Sequence, residues 1–195
     1  VKACVETGTH YVDITGEAIW VRDLIDNYHH RCVDNKVKII PACGYDSIPS
    51  DLGTYYTAKQ INEPLKSIFA YHNMSGGVSG GTIESAFTMR DFKSKHKMGH
   101  PFLLNPEGSY SKNQKLLSKD YFSIKKNKKL NKWVIPFVMA ITNTRPVRRS
   151  AALMEAKQQS YGPDFVYNEF QMVNKFSIAL ITTISLAILG MIIVS

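Results

Sequence analysis

Val37-Lys38-Ile39-Ile40-Pro41-Ala42-Cys43-Gly44-Tyr45-Asp46-Ser47-Ile48-Pro49 is the stretch that decides the fold. Its first seven residues form a short apolar run, rich in β-branched side chains, of the kind that makes a buried strand. The run passes straight into a glycine turn, and a helix opens after it and continues to about Gln60. Ser47 suits the N-cap of that helix, Pro49 its first turn, and Asp51 the positive end of its dipole. A buried strand feeding a helix through a short loop is half of a parallel βα unit.

The same pattern lies upstream. Val1 to Glu6 reads as the end of a helix, with Gly8 as its C-cap. His10 to Ile14 alternates and is β-rich, and Thr15-Gly16-Glu17 turns the chain. An amphipathic helix follows from Ile19 to Asp34, with Val21, Leu24, Ile25, Tyr28 and Cys32 recurring at helical spacing. Helix, strand, helix, strand, helix with short loops indicates a parallel α/β sheet.

Downstream the pattern loosens. Leu65 to Met74 is a third β-rich stretch, ending in Ser75-Gly76-Gly77-Val78-Ser79-Gly80-Gly81-Thr82, and a helix is expected from Thr82 to about Phe92. Residues 93–132 are polar, basic and weakly periodic, and read as long loops with fragments of helix. A helix over Pro146 to Gln159 and a strand over Phe165 to Val173 complete the order. There is no internal repeat.

The bulk properties set bounds. A chain of 195 residues with 44% hydrophobic content is long enough for one substantial domain plus an appendage. Cys4, Cys32 and Cys43 are odd in number and form no C-x-x-C pair, so reduced thiols are expected in place of a disulfide framework or a zinc site. The net charge of +8 divides unevenly: −3 over residues 1–89, +12 over 90–157 and −1 over the rest. The basic charge is densest in Lys125-Lys126-Asn127-Lys128-Lys129 and in Arg145 to Arg149. Such blocks are either solvated faces or attract anionic lipid or nucleic acid. Nucleic acid is the weakest of these, because no recognisable module interleaves aromatic residues with the charges. From Phe176 to Ser195 no residue is charged. Twenty helical residues span roughly 30 Å, enough to embed in a bilayer, so membrane contact is expected there, with the basic region facing the cytosol.

Ligands of parallel sheets collect at the carboxyl ends of strands. Three loops occupy that position: Thr15 to Glu17, Gly44 to Asp51, and Ser75 to Thr82. The four glycines of the third permit close backbone approach to a ligand, although a tight packing turn explains them equally well. It is neither a P-loop nor a G-x-G-x-x-G turn. Asp46 and Asp51 make the second loop a poor phosphate site but a fair partner for hydroxyl, amide or amine groups; a capped helix start explains both without function. His10 and Asp13 fall on opposite faces of one strand. His29, His30, His96 and His100 have no metal-ligand company, and no metal site is expected. No catalytic residue can be assigned from sequence.

Cys4 to Glu17, Gly44 to Gly53 and Gly76 to Thr82 resemble successive signatures of the saccharopine dehydrogenase-like oxidoreductases, the group that includes the bacterial trans-acting enoyl reductases. The likeness is strong over about residues 1–92 and general in layout beyond. It implies an α/β fold in three parts. Residues 1–60 would be the end of a Rossmann-like parallel sheet. Residues 61–174 would form a second α/β domain, with the basic loop region 93–132, and residues 175–195 a C-terminal hydrophobic membrane helix. It further implies NAD(P) as cofactor, attachment to a membrane or lipid-droplet surface (a mitochondrial membrane second), and a small lipid-like substrate in glycolipid biosynthesis. The G-x-G-x-x-G fingerprint of such domains does not occur here, so the chain is expected to be a fragment of a longer parent and to bind no cofactor alone. By the same resemblance Thr15, Gly16, Glu17, Gly44, Asp46 and Ser47 would line the nicotinamide side of the cleft. Gly76, Gly77, Ser79, Gly80 and Thr82 would face them as the substrate side. A non-catalytic scaffold at a lipid surface that keeps the fold is the alternative.

Overall fold

The computed structural model describes residues 1–74, 80, 84 and 99–194, with side chains up to Met191. It is an α/β protein with one parallel and one mixed sheet. Helix α1 (Lys2–Thr7) ends on Gly8 in the left-handed conformation (φ 73°), the predicted cap, whose N–H answers the carbonyl of Cys4. Strands β1 (Tyr11–Val12) and β2 (Ile39–Ile40) pair in parallel, Tyr11 opposite Ile39 and Val12 opposite Ile40. Between them runs α2 (Ala18–Asp34), and α3 (Ile48–Ile61) follows β2.

Both strands are shorter than the sequence predicts, and Asp13 shows why. Its Oδ1 accepts from the backbone N–H groups of Thr15 (2.9 Å) and Ala42 (3.1 Å), pulling both chains out of the ladder after two residues. Ala42 bends to φ 59° to comply.

The second sheet has the order β3-β6-β5-β4. Strand β3 (Ser67–His72) lies parallel to β6 (Val166–Val173), placing Ala70 opposite Glu169 and His72 opposite Gln171. Strand β5 (Lys132–Pro136) runs antiparallel to β6 and to β4 (Lys125–Asn127). The β4–β5 hairpin corrects the expectation of loops through residue 132. Its residues turn sharply, Asn131 at φ 49° and the N–H of Leu130 on Asn127 Oδ1, and Val134 and Ile135 are buried. The short helix α4 (Lys112–Leu117) carries a full capping box between Ser111 and Gln114. The helix expected over residues 82–92 lies outside the described residues, apart from Glu84, which is helical.

Helix α5 (Ala140–Ala156) begins six residues before its predicted start, because Pro146 sits inside it and not at its opening. The missing N–H leaves the carbonyl of Thr142 without its helical partner. The helix packs against β6 and α3 around Val147, Tyr161, Phe165 and Tyr167, with Ile68, Ala70 and Ala151 at the margin. Gly162 closes this core: at φ 148° a Cβ there would sit 2.2 Å from the carbonyl oxygen of Leu65. A second, smaller core joins Ile19 and Val21 of α2 to Leu103 and Leu104.

The structure also corrects the reading of Arg145 to Arg149 as a charged face. Arg145 is fully buried and grips Asp120 with two hydrogen bonds, of 2.6 and 2.7 Å. Arg148, 3% exposed, donates to the carbonyls of Pro101 and Tyr167 and to Asn168 Oδ1. Burial first, and the charge of Arg145 second, lower its pKa to about 9. These guanidinium groups act as internal cross-links. By contrast Lys125, Lys126, Lys128 and Lys129 are exposed.

The C-terminal helix α6 (Phe176–Val194) is present and leaves most of its surface uncovered. Ala179 is fully buried, while Ile181 is 66% and Met191 63% exposed. The hydrophobic membrane helix expected at residues 175–195 does not form a membrane span: among the described residues no helix is long and apolar enough to cross a membrane.

Candidate functional site

Where the carboxyl ends of β1 and β2 face α5, a cavity of about 310 Å³ opens. One wall is apolar, made by Ala18, Val21 and Ile25 of α2 with Pro41 and Leu104. The other is polar and comes from Thr15, Ser47, Asp51, Arg149 and Ser150. The sequence thus folds the loops after two successive parallel strands toward one space, as the switch-point rule requires.

Of the predicted nicotinamide-side residues, Thr15, Gly16 and Ser47 line this cavity, and Glu17, Gly44 and Asp46 do not. Gly16 lies against α5, where a Cβ would meet the Thr142 methyl at 3.1 Å. Thr15 Oγ1 accepts the N–H of Glu17, which holds the turn and makes Glu17 the residue before α2. Gly44 is buried beneath Asp46, whose carboxylate would lie 2.4 Å from any added Cβ, so this pair shapes the loop from behind. Of the predicted substrate-side residues, Gly76, Gly77, Ser79 and Thr82 lie outside the described residues. Gly80 is helical and exposed, with open space where a Cβ would be.

Ser47 stands at the start of α3, as expected, yet its hydroxyl does not cap the helix. It donates instead to Asn143 Oδ1, 3.2 Å away on α5. Asn143 Nδ2 donates to Glu169 Oε2 (3.0 Å), and the Tyr167 hydroxyl donates to Glu169 Oε1 (2.6 Å). His72, stacked on Phe137 with centroids 4.2 Å apart, brings Nε2 to 3.7 Å from the same carboxylate. One polar chain therefore runs from the cavity wall into the second sheet.

The electrostatics divide the two carboxylates. Burial raises the pKa of Asp51, only partly offset by the Ser150 hydroxyl on its Oδ2 at 2.9 Å. Its Oδ1 is buried and has no hydrogen-bond partner among the described residues. Burial would also raise Glu169, but His72, Ser50 and Tyr167 around it outweigh that and leave its pKa lowered. Glu169 is therefore a charged, acceptor-only group at neutral pH. Cys43 also lines the cavity, but burial, and then the charge of Asp13, push its thiol pKa up. That disfavours the thiolate. Arg149 gives the wall a cation, tethered by Nη1 to the Leu104 carbonyl.

Sequence reading missed Asn143 and Glu169. A signal for Glu169 existed: in the alternating strand Phe165 to Val173 it falls in the inward register with Tyr167 and Gln171, where a carboxylate needs partners. For Asn143, which lies ahead of the predicted helix start, none did.

No protein-family model and no solved structure matches the chain. Curated relatives do. A Mycobacterium ulcerans protein named trans-acting enoyl reductase is 32% identical over 185 residues, 87% of this chain and 43% of its own length. A Mycobacterium tuberculosis protein of the same name is 33% identical over 192 residues, 90% of this chain and 44% of that protein. A second M. tuberculosis relative, whose name gives the same activity provisionally, is 32% identical over 199 residues, 94% of this chain and 46% of that one. The chain thus spans less than half the length of these relatives.

Proposed function

We propose that the whole protein is an NAD(P)-dependent oxidoreductase of the saccharopine dehydrogenase-like group. It would reduce an activated carbon–carbon double bond in a lipid-like substrate, in lipid or glycolipid metabolism. The observation that carries this reading is the cavity at the ends of β1 and β2, set in a chain related along most of its length to proteins named trans-acting enoyl reductase. Its residues fit one end of the cofactor. The apolar wall of Ala18, Val21 and Ile25 suits a flat ring. The pyrophosphate end has no G-x-G-x-x-G turn to rest on within this sequence.

When bound, a reduced nicotinamide supplies a hydride. The residues of this chain would set the ring's position against the apolar wall and exclude water. Thr15 and Gly16 form the floor, and Thr142 limits how deeply the ring can enter. Attachment at a membrane or lipid-droplet surface on the cytosolic side belongs to the same proposal. The uncovered apolar side chains of α6 support it.

The test is titration of NADPH into the whole protein, wild type and Gly16→Val. The valine would push into Thr142 and fill the cavity floor. Binding to the wild type with at least a tenfold loss in the variant is expected, since blocking one ring contact costs about 1.4 kcal/mol or more. Absence of saturable binding to the wild type would leave the scaffold alternative standing.

A further inference from the structure

Strand β3 ends at His72, the carboxyl end of a parallel pair, and ligands of parallel sheets gather at such ends. The register sets His72 opposite Gln171 and one diagonal step from Glu169, on the same face of the sheet. Two contacts fix the ring. It stacks on Phe137, with planes 15° from parallel, and it brings its buried Nε2 to 3.7 Å from Glu169 Oε2. No other acceptor among the described residues lies within hydrogen-bond reach of Nε2. Glu169 is fully buried and takes its remaining hydrogen bonds from Asn143 Nδ2 and the Tyr167 hydroxyl. A neutral ring facing this carboxylate keeps its proton on Nε2 and its lone pair on Nδ1. The side chain is 33% exposed although Nε2 is buried, so the exposure falls on the rest of the ring, which carries Nδ1. The imidazole is anchored at one nitrogen and open beyond it.

We propose that His72 is the general acid of the reduction, giving its proton from Nδ1, with Glu169 as the positioning residue and Asn143 and Tyr167 holding Glu169 in place. This rests on the oxidoreductase reading above and deepens it: the substrate is an α,β-unsaturated acyl group whose α-carbon reaches Nδ1. As hydride adds to the β-carbon, the π pair of the double bond takes the Nδ1 proton at the α-carbon. The π bond, the Nδ1–H bond and the C–H bond that yields the hydride break, and a C–H bond forms at each carbon. NADPH leaves as NADP+, and water returns a proton to the ring. Glu169 neutralises the ring while it carries both protons. Pairs of this kind are often long before substrate binds and tighten in the complex. His72 does not line the cavity. Asn143 joins Glu169 to Ser47 on the cavity wall by hydrogen bonds of 3.0 and 3.2 Å, so the acyl group would bridge the cavity and the dyad.

The experiment uses the whole protein with NADPH and a medium-chain α,β-unsaturated acyl thioester of N-acetylcysteamine. His72→Ala should lower kcat at least about 100-fold, the lower end for a lost general acid, and leave KM and NADPH affinity within about threefold. Added imidazole should raise the variant's kcat at least about tenfold, by supplying the missing acid. Independently of turnover, nitrogen NMR at a pH where the ring is neutral should find His72 protonated on Nε2, and Glu169→Gln should erase that preference. A wild-type ring that carries its proton on Nδ1, a kcat within about threefold in His72→Ala, or a loss that imidazole does not relieve would each strike the dyad and leave the cofactor reading standing. If the wild type binds NADPH but reduces no such thioester, the role of His72 falls with the substrate class. If NADPH does not bind, the oxidoreductase reading falls as well.

Discussion

At the scale of single residues, the two buried carboxylates next to the cavity have opposite linkage to pH. The pKa of Glu169 is lowered in the folded protein from an ordinary 4.5. Its contribution to stability is therefore present above that value and lost as pH falls through the depressed folded pKa. Asp51 is raised from an ordinary 3.8. Its contribution is complete below that value and disappears as pH rises through the raised one. At pH 7 Glu169→Gln should cost about 2–3 kcal/mol, because it breaks a satisfied buried network, and the loss should shrink in acid. Asp51→Asn should cost far less at pH 7, or stabilise, because it removes a buried charge without a full set of partners. Its relative advantage should vanish toward pH 4. Denaturant unfolding of wild type and both variants from about pH 2 to about pH 8 checks this, and parallel pH profiles for the two variants would contradict the assignment.

At the scale of elements, legibility followed local signals. The glycine cap of α1, the α2 pattern and the βα order were readable, because each is written in residues close together in the chain. The hairpin β4–β5 was not: its first strand is Lys125-Lys126-Asn127, which has no β pattern and is held only by its partner strand. Pro146 misled in the same way, since tertiary packing tolerates it inside α5. In the site, Thr15, Gly16 and Ser47 could be found from loop position. The roles of Asn143 and Glu169 depend on contacts between residues 96 and 26 positions apart in the chain, which no local pattern encodes.

Helix α6 shows the same division between what composition says and what packing decides. Composition makes it uniformly apolar, yet it docks on the second sheet through one buried small residue, Ala179, with Phe176 tilted against Trp133 at 4.8 Å. Enlarging the buried position should be costly and changing the exposed one should not. Ala179→Leu is expected to lose about 1–3 kcal/mol through overpacking, whereas Ile181→Gln should stay within about 0.5 kcal/mol. Equal losses in thermal or denaturant unfolding would show that α6 packs differently in solution.

At the scale of the whole molecule, the exposed apolar surface and the exposed basic charge meet. Lys126 lies over the Trp133 ring at 5.2 Å, Trp133 contacts Phe176, and Lys132 is hydrogen-bonded to Asn174 just before α6. The lysine-rich hairpin therefore stands beside the start of a helix that exposes Ile178, Ile181, Ile184 and Ile188. Apolar side chains that enter the headgroup boundary, flanked by lysines worth about 1 kcal/mol each at an anionic surface, are the makings of peripheral attachment. The protein should float with phosphatidylserine-containing vesicles, and less with purely zwitterionic ones. Raising salt should weaken the association, because exposed charges are screened. Lys125→Glu with Lys126→Glu should abolish the preference for anionic lipid, and Ile181→Gln with Ile184→Gln should reduce binding to both vesicle types. On the surface-attachment proposal alkaline carbonate should strip the protein from the vesicles, since among the described residues no helix is long and apolar enough to cross a membrane. Retention after carbonate, or flotation indifferent to all four substitutions, would remove the surface-attachment proposal and leave the cavity chemistry untouched.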